Sequence, residues 1–82
     1  MKLKNVINGQ RVVLKVDYDH LRAGATGTIV GRGSVETNIA VKWDNPKSDY
    51  HDCKGLCKDG HGWYVTPKSI RKLKEAVQDE TI

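Results

Sequence analysis

Residues 38–44, NIAVKWD, constrain the fold more than any other stretch: Ile39, Val41 and Trp43 alternate with Ala40, Lys42 and Asp44. That period of two belongs to a strand with one buried face. Asn45 and Pro46 stop it, because proline has no amide hydrogen to give to a ladder. One such strand is not stable by itself, so the chain must supply partners of similar length.

It supplies them in short pieces. In residues 12–16, VVLKV, the side chains of Val12, Leu14 and Val16 share one face and Val13 and Lys15 the other, which predicts a first strand. The polar stretch DYDHLRAGA, broken by Gly24, is too short for a helix that buries much and reads as a long loop. Thr28, Ile29 and Val30 between Gly27 and Gly31 predict a second strand, with Gly31, Gly33 and Ser34 forming the turn after it. Residues 47–62 are an irregular Cys/His/Gly loop, and residues 63–65 make a fourth strand that ends before Pro67.

The segment after Pro67 admits two readings. Thr66 as N-cap, Pro67 at the first position and the stripe Ile70, Leu73, Val77 suit a helix. Its charges oppose one: Lys68, Arg71 and Lys72 would crowd the positive end of the dipole, and Asp79 and Glu80 the negative end. A 3₁₀ turn followed by a short fifth strand is therefore expected, with residues 1–74 as the domain and 75–82 as a flexible acidic tail.

Size narrows the function classes. A chain of 82 residues holds one small core and excludes Rossmann or TIM-type enzymes. Near the N-terminus Arg11 and Lys15 interrupt the one apolar stretch, so neither a signal peptide nor a membrane span is expected, and the default setting is the cytoplasm, as a monomer with no membrane partner. No phosphate loop or oxyanion-hole signature accompanies the nucleophile types present, so no catalytic residues are expected.

Several stretches together carry a family resemblance: GQRVVLKV, AGATGTIVG and IAVKWD in residues 9–44, and the close GWYVTPKSI. They resemble SH3-like barrels, and are similar in particular to KOW-type modules and mind-bomb-type repeats. The resemblance implies an all-β, small five-stranded SH3-like barrel with first and last strands paired. It also implies binding without catalysis, KOW modules contacting nucleic acid or the transcription and translation machinery and the others contacting protein segments. The loop HDCKGLCKDGHGW is a departure from these families.

That loop holds His51, Cys53, Cys57 and His61, the ligand types zinc favours. Structural zinc sites usually draw two ligand pairs from knuckles a dozen or more residues apart, whereas these four lie within one short loop. A bound zinc, a polar loop packed on Trp63 and Tyr64, and a redox cysteine pair are the three readings, and no other cofactor is implied.

Charge supplies the binding hypothesis. The net +4 combines +4 in residues 1–16, −1 in 17–65, +4 in 66–74 and −3 in the tail. If the first and last strands pair, Lys2, Lys4, Arg11, Lys15, Lys68, Arg71 and Lys72 form one patch suited to a phosphate backbone. The bland alternative is a solvated basic face. The second functional reading is a small protein-interaction adaptor or inhibitor, zinc-stabilised or not, that docks through an aromatic groove of Tyr18, Tyr50, Trp63 and Tyr64. Trp43 is expected in the core, and Tyr18 and Tyr50 at the surface.

Overall fold

The computed structural model describes residues 1–33 and 38–73. A 3₁₀ turn at Leu3–Asn5 precedes five strands, β1 Arg11–Leu14, β2 Thr26–Arg32, β3 Ile39–Trp43, β4 Gly62–Val65 and β5 Ile70–Lys72, with a second 3₁₀ turn at Pro67–Ser69 before β5. The expected turn-plus-strand ending is present. Thr66 and Pro67 end β4 because proline fixes its own φ and cannot extend the ladder, while Ile70 leaves the turn in extended geometry.

All four ladders are antiparallel, and the sheet order is β4–β3–β2–β1–β5. The first and last strands pair, with Val12 opposite Lys72, Val13 opposite Arg71 and Leu14 opposite Ile70. Closure into a barrel is not seen: β4 and β5 stand at opposite ends of the sheet with no ladder between them among the described residues. Four residues, Thr66 to Ser69, join these two edge strands, and they carry a 3₁₀ turn in place of strand pairing.

The main core cluster comes from alternate strand positions and two loop anchors, while Val13 and Ala40, on the opposite faces of β1 and β3, are buried as well. Val12, Leu14, Ile29, Ile39, Val41, Trp43, Val65 and Ile70 form one cluster with Leu21 and Tyr50. Trp43 lies in this core, as its place in the alternation predicts. Gly27 opposite it is required: an added Cβ would meet Val41 Cγ1 and the Lys42 carbonyl at 2.7 Å each.

Local boundaries shift from the sequence expectation for identifiable reasons. β1 ends at Leu14 and Val16 is 51% exposed, because the chain turns away toward the tight Tyr18–Leu21 bridge. β2 is longer than residues 28–30 and keeps Gly31 inside it, where the register with β3 slips by one residue at a bulge. Gly31 is thus part of a strand and not of a turn, and Leu56 of the Cys/His loop sits where its side chain would be. Tyr50, expected at the surface, is 6% exposed: it is an apolar anchor that pins the long loop to the core. Ser34 of the expected turn, Lys74 and the 75–82 tail lie outside the described residues.

Candidate functional site

Two regions bring together the residues singled out by sequence. The first is the edge formed by β1, β5 and the N-terminal segment. The Met1 nitrogen donates to the carbonyls of Pro67 at 3.1 Å and Ile70 at 3.0 Å, tying the first residues to the turn before β5. Its ammonium is pushed below the usual range by partial desolvation and then by the charge of Lys15. Lys15 in turn is held there by its own amide, which donates to Ser69 O at 2.8 Å.

Three chain segments thereby place Lys2, Lys4, Lys15, Lys68, Arg71 and Lys72 around one edge, all exposed. None of the six is in an ion pair among the described residues. A shallow groove of about 330 Å³ runs between Met1, Lys4, Asn5, Ile7, Arg71 and Lys72. Ile7 is 64% exposed beside it, so the groove has an apolar wall and a cationic rim.

Arg11 is placed differently from its neighbours in the predicted patch. Its guanidinium makes a bidentate pair with Asp44 at 2.7 and 2.6 Å and donates to Thr28 Oγ1 at 3.0 Å. Thr26 Oγ1 donates to the same carboxylate at 2.6 Å. The hydrogen bond from Arg11 is the main cause that brings the Asp44 carboxyl down to about 2, with Thr26 and the charges of Arg11 and Lys42 adding to it against a desolvation cost. Arg11 is thus a cross-strand tie whose charge is already matched.

The second region is the aromatic and Cys/His side. Trp63 is ringed by His20 at 4.4 Å, His51 at 5.3 Å and Tyr50 at 6.1 Å between ring centroids, and His51 also lies 5.4 Å from Tyr64. The Trp63 indole reaches Asp19 Oδ2 at 3.4 Å. Tyr18 is half-buried against the core. Desolvation, followed by the charge of Asp49, raises the Tyr50 hydroxyl, and desolvation raises that of Tyr64. His20 completes this cluster and was not singled out by sequence: it lies in DYDHL, thirty and forty-three positions from Tyr50 and Trp63, so its role comes entirely from tertiary packing.

The four zinc-type side chains do not converge. His51 Nδ1 accepts from the Cys53 amide at 2.9 Å, while His61 donates from Nδ1 to Trp43 O at 2.8 Å on the other side of the loop. Among the described residues no three His, Cys, Asp or Glu side chains are grouped to hold a metal ion. His51 satisfies an amide inside the loop, which has few strand partners, and His61 ties the loop to the last residue of β3.

The cysteines do approach each other. Both thiols are free, Cys53 buried and Cys57 half-buried. They sit over Gly62, where an added Cβ would lie 2.7 Å from Cys53 Sγ and 2.9 Å from Cys57 Sγ. Burial, then the proximity of Cys57, pushes the Cys53 thiol up to about 12, and burial also raises that of Cys57.

No helix among the described residues is long and apolar enough to cross a membrane. No family model matches the chain, and neither a curated protein nor a solved structure shows a match.

Proposed function

We propose that this protein is a non-catalytic binding module of SH3-like kind, similar to KOW-type modules, that contacts the phosphate backbone of nucleic acid through the edge built by β1, β5 and the N-terminal segment. The observation that carries this reading is the gathering of six exposed cations, without ion pairs among the described residues, from three separate segments. Each phosphate neutralised by such a cation releases counterions, which makes a cluster of them a favourable partner for a polyanion. The sheet order, with the last strand returning beside the first, supports the SH3-like part of the reading. A cytoplasmic monomer working with nucleic acid or a nucleic-acid-handling complex is the setting that goes with it.

The protein-adaptor reading has less support, because Tyr50 is buried and Trp63 is engaged by His20, His51 and Asp19. The test is anisotropy of a labelled RNA or DNA oligonucleotide across a salt series. The expected result is binding at low salt, with log K falling linearly in log salt by about 0.7–0.9 per phosphate contact. Absence of binding at low salt overturns the proposal.

A further inference from the structure

The irregular loop contains chemistry that backbone binding does not use. Cys53 and Cys57 are four residues apart, yet the chain between them folds back fully: the Cys57 amide donates at 3.1 Å to Asp52 O, the carbonyl of the peptide that leads into Cys53. The turn is completed by bonds from Gly55 N to Asp52 O and from Leu56 N to Cys53 O. Cys53 and Lys54 hold left-handed backbone, with φ of 52° and 57°, a conformation that costs energy for residues with a side chain. The turn is fixed to the sheet by a two-way bridge between His51 and Gly62, at 2.6 and 3.0 Å. Only a glycine at 62 leaves room for both sulfurs on the same spot.

We infer that Cys53 and Cys57 are a reversible dithiol–disulfide pair, in which Cys57 exchanges with an external small-molecule disulfide and Cys53 resolves the mixed disulfide. The roles follow from exposure, since Cys57 is half-buried and Cys53 wholly buried behind it. The Cys57 thiol gives its proton to solvent, and its thiolate attacks one sulfur of the external disulfide. The S–S bond of that reagent breaks, and one thiol leaves after taking a proton. Cys53 then loses its proton to solvent and attacks Cys57 Sγ, expelling the second thiol. Two electrons pass from the protein to the reagent, one disulfide forms and one is consumed. The raised thiol values of both residues predict a rate that climbs as pH rises, because the thiolate is the attacking species.

The experiment treats the full chain with excess oxidised glutathione and reads intact mass. The expected product is lighter than the reduced chain by two hydrogens, carries no glutathione, and returns to the starting mass with dithiothreitol. Its yield relative to glutathione adduct should be higher in native buffer than in urea, since the fold, not merely the spacing, places the sulfurs together. With Cys53→Ser the glutathione adduct should persist at Cys57. Three outcomes overturn the inference: stable glutathione adducts on the wild-type chain, intermolecular dimers, or no reaction. Equal yields in native buffer and urea do so as well. The wild-type measurement does not depend on any variant folding.

Discussion

The basic edge and the Cys/His side treat their functional groups in opposite ways. On the edge, Arg71 and Lys72 belong to a strand held in a regular ladder with β1, and their side chains are left to solvent and to any partner. In the loop, the backbone lacks continuous ladders, and its histidines are drawn into backbone bonds, His51 to the Cys53 amide inside the loop and His61 to the Trp43 carbonyl at the end of β3. Regular structure releases side chains for display, whereas irregular structure consumes them. Arg11 shows that the rule has a condition: a strand cation facing an acid on the neighbouring surface is spent on the sheet.

Substitutions can break or sharpen this contrast. The largest effect belongs to the core beneath both regions. Trp43→Ala should cost about 3–5 kcal/mol, enough to unfold much of a small domain, and thermal melting followed by circular dichroism reads it directly. Gly62→Ala should come next and act where the loop seats on the start of β4, at about 1–3 kcal/mol, because the new methyl meets the His51 carbonyl as well as both sulfurs. If its melting curve matched wild type, the tight seating of the loop on β4 would be wrong.

Replacing Arg71 and Lys72 together by Gln should have the opposite signature. Stability should move by no more than about 0.5 kcal/mol, as for other exposed positions. Oligonucleotide affinity should fall about tenfold and the salt slope should shrink by about 2. A loss of affinity with unchanged slope would point away from phosphate contacts on this edge.

The smallest effect concerns Asp44. Its carboxyl is held at about 2 in the folded protein, below its ordinary 3.8, so folding is favoured wherever it is ionised. That contribution is fully present above about pH 4 and is lost as pH falls through about 2. With the pair 31% and 38% exposed, solvent screening keeps the contribution within about 1 kcal/mol. Acid titration of stability should therefore be flatter for Asp44→Asn than for wild type between these limits.

Much of the fold is legible in the chain. The alternation in residues 39–43, the stop at Pro46 and the Thr66–Pro67 signal each act over a few residues, and each appears where local rules put it. The ends of β1 and β2 are less legible, since they depend on where a loop turns away and on the bulge at Gly31. Of the site, the basic residues could be grouped from the expectation that first and last strands pair. His20 could not be, and neither could the burial of Tyr50, because both depend on how a long loop folds over the sheet.

By itself, then, the sequence determined the strand periods, the breakers and the uneven distribution of charge, all of which follow from properties of single residues and near neighbours. Tertiary structure decided which charges stay exposed, which strand carbonyl His61 reaches, and that two cysteines meet over Gly62. Those outcomes depend on distances between segments remote in sequence, and such distances exist only once the sheet has formed.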